Sequence, residues 1–256
     1  MPVMDATAAE TIVLGVAGAL VGSFLNVVAY RLPRGQSIVG GRSHCPGCGV
    51  RIAAYDNVPV VSWLVLGGRC RSCRGMISPR YPIVEALTAS LFVAVGVQTG
   101  SSTELWPGLA LMVTLVTVSA TDLEYRIVPN KVLAPAALAA LALWALADAG
   151  RIPENLAAAA GAGGLLLAAA LAYPKGMGMG DVKLAAVMGL FLGRSVAPAL
   201  FTGFLAGSIL GVGMMLAGGA AARKKALPFA PFLAFGGIVG QLFGADLVHW
   251  YAGHFL

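Results

Sequence analysis

The chain has 256 residues, of which 58% are hydrophobic and 11% charged, with a formal net charge of +6 and a mean hydropathy of +0.83. Soluble domains carry about 25% charged residues, so this composition excludes a water-soluble fold. Inside lipid every backbone polar group needs an internal partner, which leaves helices or a closed barrel. The Ala/Leu/Gly-rich runs show none of the alternation a barrel needs. The expectation is an all-α polytopic membrane protein.

Taken in chain order, the N-terminal "MPVMDATAAETIVLG" carries Asp5 and Glu10 but no Lys or Arg before the first apolar run. A secretory signal needs a basic leading region and a small-residue cleavage site, so the first span is expected to be retained. Apolar runs near the length that crosses a bilayer then place about eight spans, at 11–30, 82–98, 105–122, 129–148, 155–173, 181–193, 197–217 and 230–251. The sixth is short. Between the first two lies the only long polar segment, 31–80, which holds all four cysteines. The remaining connectors are short, and no convincing internal repeat is visible. Alanine runs such as "LAAAAGAGGLLLAAALA" fit close helix packing in lipid.

Basic residues test the span count. Segment 31–80 holds Arg31, Arg34, Arg42, Arg51, Arg69, Arg71, Arg74 and Arg80. Later loops alternate between basic (Arg126 and Lys131; Lys175 and Lys183; Arg223, Lys224 and Lys225) and poor (Arg151 alone; Arg194 alone). Assigning alternate loops to the cytoplasm puts 15 of 17 basic residues inside, as the positive-inside bias requires. Both termini then lie outside. The positive charge reads as topology and attraction to anionic lipid. Without an aromatic stacking platform among the basic residues, nucleic acid is not the expected partner.

The cysteines form two C-x-x-C pairs, "CPGC" (Cys45, Cys48) and "CRSC" (Cys70, Cys73), with 21 residues between them. This spacing matches a structural zinc site, each short turn aiming two sulfurs at one metal. Thiolate softness selects zinc over magnesium or calcium. The competing readings are two disulfides or free thiols, and a reducing cytoplasmic location disfavours the first. A closed four-sulfur site has no open position for catalysis. His44 adjoins Cys45 but is left outside the ligand set.

Only eleven acidic residues exist. Asp5, Glu10, Glu104, Asp148, Glu154 and Asp246 fall near outer ends or loops and read as solvated. Asp56 and Glu85 belong to the zinc loop or its edge, and Glu124 to the loop after span three. Asp122, ending span three in "VTVSATDLEYRIVPNKVL", and Asp181, opening span six in "KGMGMGDVKLAAVMG", remain. Loop parity places both at the cytoplasmic membrane face. Carboxylates near a bilayer interior mark function. A close pair shares one proton and titrates as a unit, which equips it for aspartic-protease chemistry: one member activates water while the other polarises the scissile carbonyl. The bland alternatives are a helix cap for Asp181 and a solvated interfacial residue for Asp122. Gly176, Gly178 and Gly180 read as flexible backbone along which an extended substrate lies beside Asp181. A dinucleotide site needs a preceding strand, which is not expected here, so the flexible-backbone reading is preferred.

Together "GSFLNVVAYRLP" (22–33), both C-x-x-C pairs with "GRCRSC", "SPRYPIVEALTA", "TDLEYRIVPN" and "GMGMGDVKL" resemble the type IV prepilin peptidases, polytopic aspartic proteases with a G-x-G-D signature. The likeness is collinear from about 15 to 217, and "LPFAPFLAFGG" (227–237) resembles the family's C-terminal motif. Met179 within the glycine run is a mild departure. The resemblance implies a bacterial inner-membrane enzyme that cuts the leader from type IV prepilins or type II secretion pseudopilins, after a glycine, at the cytoplasmic face. It implies Asp122 and Asp181 as the catalytic pair. It associates Cys45, Cys48, Cys70 and Cys73 with a region that methylates the new N-terminal amine using S-adenosylmethionine. The implied organisation is an N-terminal region over 10–95 containing the zinc loop, a peptidase domain over 100–220, and a C-terminal loop and span over 221–256. A peptidase lacking methyl transfer, an ion transporter using the same aspartates and a zinc adaptor are the rivals.

Overall fold

The structure is a computed structural model that describes residues 7–40, 43–100, 102–174, 177–222 and 228–255. Gly176, Lys175, Arg42 and the basic cluster Arg223, Lys224 and Lys225 lie outside the described residues. Nine α-helices are described: α1 (Ala8–Arg31), the short α2 (Val61–Val65), α3 (Arg80–Thr99), α4 (Leu105–Tyr125), α5 (Asn130–Asp148), α6 (Ile152–Ala172), α7 (Met179–Leu192), α8 (Val196–Ala222) and α9 (Ala230–Phe255). Among the described residues the only β pairing is two isolated bridges, His44 with Arg51 and Arg69 with Met76.

Among the described residues six continuous stretches are long and apolar enough to cross a membrane, which makes this a multi-pass membrane protein. That number differs from eight because two stretches, Asn130–Ala172 and Met179–Ala217, each contain two of the helices above. The first has 43 residues. At about 1.5 Å per residue an unbroken helix of that length would far exceed a bilayer core of about 30 Å. The turns at Ala149–Arg151 and Gly193–Ser195 interrupt the runs. Asp148 accepts from Gly150 N–H at 3.0 Å at the first turn, and Gly193 takes φ +54° at the second. Both turns fall where the sequence reading separates its spans, at 148–155 and 193–197.

The chain divides into two compact units, Met1–Ser101 and Ser102–Leu256. In the first, α1 packs along α3 through a small-residue seam. A Cβ placed on Gly18 would lie 2.7 Å from Ala89 Cα, and one on Gly22 would lie 2.8 Å from Glu85 Cα. Four-residue spacing of glycines lets backbones approach closely where no water drives association. One turn further, Asn26 Nδ2 donates to the Tyr81 carbonyl at 3.1 Å. These pairs step in opposite directions along the two helices, so α1 and α3 run antiparallel.

The second unit is built around α4 and α7, whose inner faces bury Leu111, Met112, Leu115, Leu184 and Met188 completely. A Cβ on Gly237 of α9 would lie 2.8 Å from Leu115 Cδ1 and 3.1 Å from Met188 Cε. The helix α6 approaches α7 so closely that a Cβ on Gly189 would lie 2.5 Å from Ala159 Cα. Charged contacts sort the helix ends. Arg151 pairs with Glu104 at 3.0 Å and Arg194 with Glu154 at 3.2 Å, gathering the start of α4, the α5–α6 turn and the α7–α8 turn at one end. The opposite end carries the close of α4 and the starts of α5 and α7, where Lys183 Nζ donates to Asn130 Oδ1 at 3.0 Å.

Candidate catalytic and metal sites

Asp122 lies in the last turn of α4, and Asp181 is the third residue of α7. Both are buried, at 6% and 9% exposure. Gly180, next to Asp181, abuts Val128 of the link that leaves α4, and Lys183 of α7 bonds Asn130 at the start of α5. The fold thus brings these two acids, far apart in sequence, to one end of the second unit, where Asp122 acts electrostatically on Asp181.

A backbone N–H holds each acid. Asp181 Oδ2 accepts from Gly178 N–H at 3.3 Å, the residue just outside α7. Asp181 therefore caps its helix from the third position, reaching back, rather than from the N-cap. Asp122 Oδ2 accepts from Ala230 N–H at 3.1 Å, 108 residues away. Ala230 opens α9 and is completely buried. Asp122 sits at the unfavourable C-terminal end of its own helix dipole, and the α9 N-terminus supplies the compensating positive end. Arg126 adds a favourable charge. It closes α4 in the left-handed region, φ +55°, with its N–H bonded to the Asp122 carbonyl at 2.9 Å. The described residues direct no hydrogen bond to Oδ1 of either aspartate. Each acid therefore keeps one oxygen for water, substrate or a shared proton.

The two glycines flanking this site differ in what they permit. Gly178 has φ −80° and ψ 145°, which any residue adopts, and the nearest atom to a Cβ there would be Asp181 Oδ2 at 3.4 Å. Gly180 is a steric requirement, because its Cβ would lie 2.7 Å from Val128 Cβ. Val128 belongs to the short link between α4 and α5, so Gly180 sets how closely the first turn of α7 approaches the link that follows Asp122. Sequence reading missed Ala230 and Val128. The "LPFAPFLAFGG" motif was the available signal for the first, and nothing local pointed to the second.

In the first unit the four cysteine sulfurs lie within 4.8 Å of one another. Cys45 Sγ and Cys73 Sγ are 3.8 Å apart. Four sulfurs at about 2.3 Å from a zinc ion would stand about 3.8 Å apart along each tetrahedral edge, so the set fits the metal. Two matching knuckles build it. Cys45 N–H bonds to the Val50 carbonyl and Gly49 N–H to that of Cys45; Cys70 N–H bonds to the Gly75 carbonyl and Arg74 N–H to that of Cys70. Gly49 and Arg74 hold corresponding positions at φ +71° and +59°. This local pseudo-repeat was not evident in the sequence, since only the cysteines are common to the two copies.

The thiols are unequal. Cys48 and Gly47 N–H groups hold the Cys45 thiol down at about 6. Cys48, against the pull of Val50 N–H, is pushed up to about 11 by desolvation and the neighbouring sulfurs. A cluster that ionises one sulfur easily and resists ionising the next is suited to a divalent cation that neutralises them all. Asp56 sits nearby in a 3-10 turn, and Arg71 donates to it from Nε at 2.9 Å and Nη2 at 2.6 Å. The guanidinium holds the Asp56 carboxyl below the usual carboxylate range. This bidentate pair ties the second knuckle to the turn at Ala54–Asn57.

Residues 16–99 match the bacterial peptidase A24 N-terminal domain, and residues 109–216 match the type IV leader peptidase family. The chain is 36% identical over 242 residues to a prepilin leader peptidase/N-methyltransferase of Bacillus subtilis, covering 93% of this chain and 96% of that one. It is 31% identical over 297 residues to the protein of that name from Pseudomonas aeruginosa, covering 98% of each. A third, from Myxococcus xanthus, is 40% identical over 219 residues, covering 82% of this chain and 65% of that one. No solved structure matches. Buried paired carboxylates in a multi-helix membrane chain, a four-sulfur cluster and full-length similarity agree: the chain belongs to the type IV leader peptidase family.

Proposed function

We propose that the protein is a membrane-embedded aspartic endopeptidase that removes the leader of type IV prepilins or pseudopilins after a glycine, and that it N-methylates the residue so exposed. The observation that carries the peptidase is the placement of Asp122 and Asp181 at one end of the second unit, each fixed by one helix-start N–H with one oxygen left over. The ionised member takes a proton from water as the water attacks the scissile carbonyl. The protonated member donates a hydrogen bond to that carbonyl and later helps the amine depart. Fixed backbone donors keep the carboxylates oriented without reorganisation during reaction.

The names of the relatives support both activities and a prepilin substrate. In this reading the peptidase occupies 100–220, the zinc loop and its flanking helices form the methyl-transfer region over 10–95, and 221–256 adds the last span. S-adenosylmethionine would supply the methyl group. Cys45, Cys48, Cys70 and Cys73 would hold a structural zinc ion that orders the loop. The charge alternation of the sequence supports a cytoplasmic location for the dyad and the zinc loop in a bacterial inner membrane, with both termini outside. A substrate whose leader precedes an apolar helix rests that helix in lipid and reaches the aspartates by lateral diffusion, which lowers the entropic part of the barrier.

Asp122→Asn and Asp181→Asn, assayed on a prepilin in proteoliposomes, are each expected to abolish cleavage while zinc content stays that of the parent. Turnover surviving in either variant refutes the dyad.

A further inference from the structure

Glu85 is a buried carboxylate that peptide cleavage leaves unused. It lies in the second turn of α3 at 8% exposure, and among the described residues no cationic side chain pairs with it. An ionisable group in an apolar helix is costly to keep and marks a functional site by default.

Its surroundings are specifically built. Glu85 Oε2 accepts from Val60 N–H at 2.7 Å, and Ser23 of α1 stands near the carboxylate. Val60 has φ 61° and ψ −52°, within a tight turn closed by Val61 N–H to the Pro59 carbonyl at 2.6 Å. That three-residue turn is of the rare, strained hand, and a β-branched residue there persists only when its surroundings impose it. A second, independent signal lies one turn along the same seam. Asn26 is 4% exposed, and its Oδ1 is buried with no hydrogen-bond partner, although its Nδ2 donates to Tyr81. Ser23 and Asn26 share one face of α1, as Tyr81 and Glu85 share one face of α3. Among the described residues the seam thus presents a buried carboxyl with no cationic partner and an unused acceptor, and it lacks a positively charged donor.

That inventory selects the ligand. A hard metal ion wants six or more oxygens, too many for this seam. A primary ammonium brings one positive charge and three N–H donors. Resting on the methyl-transfer reading above, we propose that Glu85 and Asn26 receive the free α-ammonium of the cleaved substrate, and that Glu85 takes up the proton this nitrogen must lose before methylation. The proton passes from nitrogen to the Glu85 carboxylate. The freed lone pair then forms the bond to the methyl carbon of a sulfonium donor, whose carbon–sulfur bond breaks with its electron pair staying on sulfur.

Glu85→Gln removes the charge while keeping an acceptor for Val60 N–H, and Asn26→Leu removes the orphaned oxygen. Both are tested in the full-length protein in lipid nanodiscs, with zinc content as the check on folding. The probe is a peptide of the substrate's mature N-terminus, with a free or an acetylated amine. The parent protein is expected to bind the free amine about tenfold more tightly, as a charge-assisted hydrogen bond allows. Glu85→Gln should erase that preference and slow methyl transfer about 100-fold, within the range of lost general-base catalysis; Asn26→Leu should weaken the preference. A Glu85→Gln protein that still prefers the free amine, or methylates within threefold of the parent, overturns the proposal. Parent protein that selects the free amine yet transfers no methyl group supports the amine site and refutes the methyl-transfer reading.

Discussion

Replacing Gly180 by alanine tests whether close packing at the start of α7 positions the dyad. The added Cβ would lie 2.7 Å from Val128 Cβ, 3.2 Å from Cγ2 and 3.5 Å from Cγ1. Carbon atoms rest about 3.5–4.0 Å apart, so the first turn of α7 and the α4–α5 link must separate by about 1 Å. Overpacking of this kind costs about 1–3 kcal/mol, against a gain of about 0.5–1 kcal/mol for alanine over glycine in a helix. The protein still folds on that balance. The next residue, however, is Asp181, one of the two acids proposed to react, and a displacement of about 1 Å at reacting groups costs about 100-fold in rate. Cleavage of a prepilin in proteoliposomes should therefore fall about 100-fold in Gly180→Ala and stay within about threefold in Gly178→Ala, whose backbone suits alanine. Val128→Gly removes all three crowding atoms and should restore much of the Gly180→Ala loss. Equal tolerance at both glycines, or a double variant no faster than Gly180→Ala, refutes the packing argument.

The cysteine cluster yields two more expectations. Cys45→Ser or Cys73→Ser should drop bound zinc from about one per chain towards zero and open 43–77 to limited proteolysis, because structural zinc supplies much of the folding free energy of such loops; metal analysis with a digestion time course checks this, and a zinc-free loop that resists protease counts against it. In metal-stripped protein at pH 7, alkylation should be fastest at Cys45 and slowest at Cys48. With one thiol held at about 6 and the other pushed up to about 11, the first is mostly thiolate and the second is not. Lowering the pH through 6 should suppress the Cys45 reaction, and peptide mapping that finds Cys48 modified first contradicts the assignment.

Much of the site was legible because the signals are rare against an apolar background. Four cysteines in two pairs point to one metal whatever the fold around them. Two carboxylates on membrane helices stand out because lipid penalises stray charge. What remained hidden was each group's partner. Glu85 reads in sequence as the edge of a polar loop, yet it is buried on α3 and holds the strained Val60 turn. Glu124 reads as a loop residue, yet it continues α4. Asp181 reads as a candidate N-cap, yet α7 begins at Met179 and the acid caps from within.

By itself the order of residues determined the lipid-embedded helical class and the four-sulfur set, since each rests on composition or short spacing, while loop parity and the family resemblance singled out Asp122 and Asp181. Only the tertiary structure decided that the start of α9 supplies the N–H for Asp122 and that Val128 leaves no room beside Gly180. The physical reason is reach. Local preferences act over a few residues, whereas a buried carboxylate takes whichever donor packing brings to it, here from 108 positions away.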